Sequence, residues 1–546
     1  MTSVPFGASA DDTGEFMLGD VLVSVVLLES DGSIDADTED WTPDHIQSVK
    51  NNVRQGLEWW SDLLDQQDSV HSLNFKIDYT FADNPVETGY EPINRRSDDF
   101  IYWIEDFFAD VNLSNDDSFS KRIRQFNHRQ RVAHDTNWAF TIFVVNSDND
   151  SDDRFRTDGS FSLAYAFAGG RFFVMTSERP ASTVAHETAH MFWAMDEYSG
   201  SKPYDARRGY YNTQNTNAID GHPDPRSRVR SIMDLQSVGY TRDALSPSAM
   251  ETIGWKDSDG DGIFDVLDVP LEMSGTGSHD ASRNLVKFVG SASAGMLRNR
   301  NPSGSGNDMT LNRVSRIQFR IDGGPWNLAQ FYDEYQVDFD ISIPIGPNTQ
   351  SVEIRAVDDA TGVTSATLQQ SIVRVETPVW RNVFFPNDVN GDDQLSPIDA
   401  LMVINVLNSS GPHPLPTTGA VGGPPYIDVN DDQYVSPADA LLVINALNRK
   451  PRKAVPAPRS PSIFVSDFVA SECDPVHKAD DQSPDNDVNI NWQPIDSHND
   501  MNCLPIADVT TFDSLFVERA TRLLPLAEAS LLPNDVDAAF AFESVR

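Results

Sequence analysis

The sequence predicts a multidomain chain: an α+β domain first, an all-β sandwich second, and a pair of short helical repeats third. Three observations carry this. At 546 residues the chain exceeds what one hydrophobic core serves. Strand-like apolar runs alternate with helical periodicity up to about residue 256, whereas residues 271–376 alternate apolar and polar residues with no helical period. Finally, the segment from Asp388 recurs from Asp428 with the same Ser-Pro-x-Asp helix start.

Taken in order, residues 1–18 read as a polar leader, and VLVSVVLLE from Val21 as a buried strand. A helix opens at Thr42-Pro43, a capping residue with proline at the first helical position, and continues through Ile46, Val49, Val53, Leu57 and Leu63. LNFKIDYTF from Leu73 predicts a second strand, and Phe100, Ile104 and Phe108 mark a second helix. WAFTIFVV from Trp138 is a fully buried strand. FSLAYAFAGGRFFVMT gives two short strands broken at Gly169-Gly170. Residues 197–232 are polar and irregular, and SPSAMETIGW closes the domain as a helix.

Between these lies HETAHMFWAMD, His186 to Asp196. Residues four apart share a helical face, so His186 and His190 can grip one ion while Glu187 sits one step round as a base. This is H-E-x-x-H, the arrangement of a zinc hydrolase. A tetrahedral zinc site needs a third ligand and a place for water. A continuous helix would turn Asp196 off the histidine face and set Glu197 about 10 Å along the axis from His190. The chain must therefore leave the helix soon after His190 and fold back.

The stretch resembles the metzincin peptidases, H-E-x-x-H-x-x-G-x-x-H followed by a Met-turn, some of which carry Asp at the last position. The resemblance implies a zinc endopeptidase acting on protein or peptide, with His186, His190 and Asp196 as ligands and Glu187 as base. Met233, in SIMD, would be the Met-turn. It also implies that part of 161–168 is an edge strand able to pair with an extended substrate. Trp193 stands at the glycine position, where a positive φ strains a bulky residue, so the turn takes another geometry or the aspartate is not the ligand. Leu235 replaces the Tyr that several families place two residues after the Met, and Tyr240 is a weak substitute. Glu197 and His222 follow Asp196 as third-ligand candidates.

DSDGDGIFDVLD sets Asp257, Asp259, Asp261 and Asp268 at positions 1, 3, 5 and 12 of an EF-hand-like loop, with Gly262 at position 6 and Asp265 as an extra ligand. It reads as a Ca²⁺-stiffened linker, 257–270. The sandwich region, 271–376, looks like the Ig-like accessory modules of secreted bacterial enzymes. The repeat, spanning 384–449, closely resembles type I dockerin modules. That resemblance implies Ca²⁺ ligands Asp388, Asn390, Asp392, Gln394 (carbonyl) and Asp399, then Asp428, Asn430, Asp432, Tyr434 (carbonyl) and Asp439. It also implies a cohesin-like partner. Ser396 and Ser436 can cap the following helices, with Pro397 and Pro437 at their first positions. Asp393 and Gln433 stand where glycine is usual. Residues 450–546 read as an acidic, disordered tail with one short helix around Phe512–Leu524; Cys473 and Cys503 lie in it, in no metal-like spacing.

The formal net charge is −42, which excludes nucleic acid as a natural partner. No run is long and apolar enough to span a bilayer, and no export signal is read at this N-terminus. The expected location is extracellular or cell-surface. Two readings compete. One is a secreted zinc endopeptidase (residues 1–256) tethered by its dockerin-like pair. The other is a calcium-binding scaffold or adhesin, linked to polysaccharide degradation, in which the zinc domain is inert.

Overall fold

The computed structural model describes residues 3–113, 117–281, 283–372, 380–416, 423–449 and 536–539. They fall into two compact units, Met1–Ile372 with Ala507–Arg546, and Val373–Ile506.

The first unit is built on β1 (Gly19–Ser30), α1 (Pro43–Asp65), β2 (Leu73–Asp78), α2 (Thr80–Asp83), β3 (Val86–Thr88), α3 (Phe100–Asp110), α4 (Phe119–Ala133), β4 (Trp138–Val145), β5 (Ala164–Phe167), β6 (Phe172–Thr176) and α5 (Ala181–Met191). β1 is central, parallel to β2, β3 and β4; β6 runs parallel to β4, and β5 lies antiparallel on the outside of β6. Successive side chains of a strand face opposite ways. Val23, Val25 and Leu27 accordingly meet α1 and α5, with Trp60 and Leu57, while Val26 and Leu28 meet the aromatic layer of α3 and α4, with Phe107 and Phe126. Both faces are covered, which is why β1 and β4 read as unbroken apolar runs.

Thr42 caps α1 by accepting from the His45 amide. The second strand is shorter than its apolar run: Asp78 accepts from the Thr80 N–H and hydroxyl and turns the chain into α2. Helix α4 left little trace in the sequence because its inner face is partly polar. Arg122, Asn127 and Arg131 are buried there beside Ile123 and Phe126, and Arg131 donates to the Ser9 and Asn137 carbonyls.

That contact corrects the expectation of a leader. Residues 3–18 are folded into the domain, with Phe16, Met17 and Leu18 in the core and the Met17 amide bonded to the Ile253 carbonyl. The tail expectation is corrected at one place. Val536–Ala539 forms a strand antiparallel to β5 on its outer edge; Cys473, Cys503 and the helix expected at 512–524 lie outside the described residues.

After α5 come a two-residue ladder (β7, Arg207–Arg208, with β8, Thr213–Gln214), α6 (Gln236–Thr241) and α7 (Pro247–Thr252), the last capped by Ser246. Seven strands follow: β9 (Glu272–Asp280), β10 (Leu285–Ser293), β11 (Val314–Ile321), β12 (Asn327–Glu334), β13 (Gln336–Pro344), β14 (Ser351–Val357) and β15 (Leu368–Ser371). They form two sheets, β13-β10-β9 and β12-β11-β14-β15, enclosing Phe288, Phe339, Ile341 and Ile354. The boundary with the α/β domain is interlocked. Met309, from the long β10–β11 connection, belongs to the α/β core, and the Tyr210 hydroxyl donates to the Leu297 carbonyl. In return Phe6 packs against the sandwich core and stacks on Tyr335, ring centroids 5.5 Å apart.

The second unit holds α8 (Pro397–Ser410) and α9 (Pro437–Leu447), with a two-residue ladder of β16 (His413–Pro414) and β17 (Tyr434–Val435), around Val389, Val403, Ile427 and Val443. The remaining strand, Val536–Ala539, is β18. Among the described residues no helix is long and apolar enough to cross a membrane.

Candidate metal centre

Helix α5 is buried along its whole length, so His186, Glu187 and His190 sit inside the protein. Each histidine is oriented by its second ring nitrogen. His186 Nδ1 lies 2.9 Å from the Ile232 carbonyl and His190 Nδ1 2.8 Å from the Ala194 carbonyl. A carbonyl oxygen only accepts, so each Nδ1 carries the proton and each Nε2 presents its lone pair. The ring planes stand nearly perpendicular, centroids 4.9 Å apart.

Both Nε2 atoms converge on one oxygen. Asp196 Oδ1 is 3.1 Å from His186 Nε2 and 3.4 Å from His190 Nε2. One ligand atom from each of the three residues falls within 4.8 Å of the others, and all three side chains are buried. Burial opposes a charge on any of them. For His186 the Asp196 carboxylate outweighs that burial and raises its pKa. Although burial alone would push the Asp196 carboxyl up, His190 and His186 together hold it well below the ordinary range. A buried, ionised carboxylate facing two imidazole lone pairs is the donor set that suits Zn²⁺, and among the described residues His186 Nε2 and Asp196 Oδ1 have no hydrogen bond of good geometry to occupy them otherwise. The residues present fit the metal.

The bend that brings Asp196 back corrects the expectation that a tryptophan would force another turn. Trp193 itself adopts the left-handed conformation, φ +73°. The Trp193 amide donates to the His190 carbonyl (3.0 Å) and the Ala194 amide to the Ala189 carbonyl (3.1 Å), the paired bonds of a Schellman ending. What steadies the strained residue is Gly169, in the turn between β5 and β6. A Cβ added to Gly169 would lie 2.3 Å from the Trp193 ring, so the indole fills the space a side chain would take. The Gly169 amide also donates to the His190 carbonyl, and the Gly170 amide to the Met191 carbonyl at 2.8 Å. No sequence signal linked Gly169 to the metal helix, because the contact is long-range.

The other candidates are placed elsewhere. Glu197 is buried in its own network: its carboxylate accepts from Asn217 Nδ2 (2.7 Å) and from the Ser246 hydroxyl, and burial pushes its pKa up to about 6. Its amide donates to the Met233 carbonyl at 2.9 Å, tying the residue after Asp196 to the buried Met233. The half-buried His222 lies near the Thr216 carbonyl and accepts from the Asp224 amide. Tyr240 stacks on Trp59 and donates to the Gln55 carbonyl, and Leu235 is exposed.

In the 257–268 loop the carboxylates of Asp257, Asp259 and Asp261 converge. Asp257 accepts from the Gly260 and Gly262 amides at 2.7 and 2.9 Å. Asp265 is turned to Ser258, accepting from its amide and hydroxyl. The Asp268 carboxyl is raised by burial and by the surrounding aspartates. Glu29, Asp37 and Asp40 also converge, a cluster unread in the sequence because no spacing announces it.

The two repeats are near-copies. Asp388 Oδ2 accepts from the Asp393 amide and Asp428 Oδ2 from the Gln433 amide, each at 2.9 Å. Asp392 Oδ1 accepts from the Gln394 amide and Asp432 Oδ1 from the Tyr434 amide. Asn390 and Asn430 each donate to the aspartate two residues on. Asp399 Oδ1 accepts from the Val389 and Asn390 amides, and Asp439 Oδ1 from Val429 and Asn430. Ser396 with Asp399, and Ser436 with Asp439, close capping boxes on α8 and α9. Each loop is thus wound round its own carboxylates, the geometry of a Ca²⁺ loop.

Comparison with protein families matches residues 386–448 to the type I dockerin domain. These residues are a type I dockerin domain, a Ca²⁺-binding module. No curated protein matches the chain.

Proposed function

We propose that the first unit is a zinc-dependent endopeptidase, exported and held at its place of work by the dockerin domain through a cohesin partner. The observation that carries this reading is the convergence of His186, His190 and Asp196, with both Nδ1 atoms engaged by backbone carbonyls. Bound there, Zn²⁺ would supply Lewis acidity to a water and to a scissile carbonyl. Glu187, next to His186 on the same buried helix, takes a proton from the attacking water and returns it to the departing amine nitrogen. Asp196 holds negative charge beside the two imidazoles, whose Nδ1 contacts with the Ile232 and Ala194 carbonyls aim their Nε2 atoms inward. Strand β5 carries Val536–Ala539 on its outer edge, so an extended peptide could pair with β5 only in place of that segment.

The test uses the full chain. Wild-type protein is expected to hold about one zinc and to cleave casein in a chelator-sensitive way. Glu187→Ala should keep the zinc and lose activity by on the order of 10²–10⁴-fold. Casein cleavage by that variant at the wild-type rate would remove Glu187 as the base. Wild type that binds zinc and cleaves nothing would favour the second reading, a calcium-dependent scaffold or adhesin associated with polysaccharide degradation. That reading draws on the dockerin domain, whose attachment requires no hydrolysis.

A further inference from the structure

Strand β5 has a partner on each side, and the two are unlike. Its inner neighbour β6 follows it directly in the chain, with Phe172 opposite Phe167 and Met175 opposite Ala164. Its outer neighbour β18 arrives from the far end of the chain, with Val536 opposite Phe167 and Ala539 opposite Ala164. The strand order is β18-β5-β6-β4-β1-β2, so among the described residues β18 is what covers the outer backbone edge of β5. On one face β5 lies against α5. Ala164 and Ala166 share a core with Val184, Ala185 and Ala189, and the turn after β5 bonds the His190 and Met191 carbonyls through the Gly169 and Gly170 amides.

The outer strand is poorly made for permanence. It is four residues long, and Asp537, Ala538 and Ala539 are of types depleted in strands, whereas β6 reads Phe-Phe-Val-Met-Thr. A lasting cover for an edge would use β-branched or aromatic residues at most positions. With one partner strand and few ladder bonds, each of small net gain, its hold on β5 is slight. Because it belongs to the same chain, it rebinds without diffusing in from solution. The candidate metal centre behind β5 is closed too: Glu187 and His190 are 0% exposed and His186 2%. A peptide reaches Glu187 only after something moves.

We infer that Val536–Ala539 is an internal competitor for the substrate strand, an autoinhibitory contact that lies along β5 and must peel away before an extended peptide can pair there. It rests on the peptidase reading and adds the regulation of that site. A strand edge offers a single row of amides and carbonyls, so tail and substrate exclude each other. Such a competitor raises KM and leaves the chemical step, and with it kcat, alone. A tail engaged roughly nine-tenths of the time raises KM about tenfold.

The test is casein cleavage by the zinc-loaded full chain. Successive amides of a strand point to opposite edges, so Asp537→Pro combined with Ala538→Pro removes a bond to β5 whichever edge faces it. That double variant, and separately a chain stopped after Pro533, should each show KM lowered about tenfold, with kcat and zinc content unchanged. A synthetic peptide of residues 534–541, added to the shortened chain, should raise KM again by competition. The inference is overturned by an unchanged KM in both variants, or by a shortened chain indifferent to the peptide. A strand that merely covers the edge would give self-association in light scattering at the wild-type KM, and overturns it equally. Casein left uncut by wild type and both variants, with zinc bound in all three, instead sinks the peptidase reading beneath it.

Discussion

Trp193 shows how much a single residue can be made to tolerate. A left-handed conformation costs a bulky residue about 1–2 kcal/mol, and here that cost is met by burying an indole against Gly169. Emptying the site of a buried Trp would cost roughly 3–5 kcal/mol. Trp193→Gly is therefore expected to lower the melting temperature despite relieving the backbone. Gly169→Ala attacks the same contact from the other side. Its methyl would collide with the ring at a position whose own φ is +77°, and a loss of about 1–3 kcal/mol follows. Zinc retention during dialysis against a weak chelator should fall in parallel; unchanged retention and melting would show that the bend does not depend on this packing. The candidate metal helix was legible because its pattern is local, two histidines one turn apart. The turn to Asp196 was misjudged because what steadies Trp193 lies 24 positions back along the chain.

Among the elements, the dockerin loops give the clearest contrast. Asp393 and Gln433 both sit at positive φ, +62° and +61°, where glycine is unstrained. Asp tolerates this conformation better than Gln does. Gln433→Gly should then stabilise the second loop by about 1 kcal/mol and tighten its calcium binding in a calorimetric titration; Asp393→Gly should do less. Weaker binding in Gln433→Gly would mean that the glutamine side chain holds the loop. Asp439→Ala removes the acceptor for the Val429, Asn430 and Ser436 amides at one stroke. It should abolish calcium-dependent protection of α9 in hydrogen exchange while leaving α8 protected. These helices were readable because Ser, Pro and Asp each carry a positional physical role. Helix α4 was not, since buried Arg and Asn gave its inner face the look of a surface.

At the scale of the molecule, the seam between the α/β domain and the sandwich is polar as well as apolar. Glu15 is wholly buried there, near the side-chain amides of Asn299 and Asn301. Burial, with Asp12 adding to it, pushes its pKa up to about 8. A carboxyl whose pKa is higher folded than unfolded binds more protons in the native state, so stability is greatest below about 4.5 and declines as pH rises towards 8. Glu15→Gln should flatten that decline in melting temperature between pH 5 and 8; an unaltered profile would place the titration elsewhere. Sequence periodicity drew a boundary inside what the contacts join as one unit, because it reads strands and helices and is blind to which loop crosses to a neighbour. Phe6 and Met309 each belong to the core of the domain their chain position does not suggest. A recombinant fragment cut after residue 256 would lose Met309 from its interior and leave Phe6 with no pocket. Anyone trimming this protein to its α/β domain should keep the sandwich, for the two halves behave as hand and glove rather than as beads on a string.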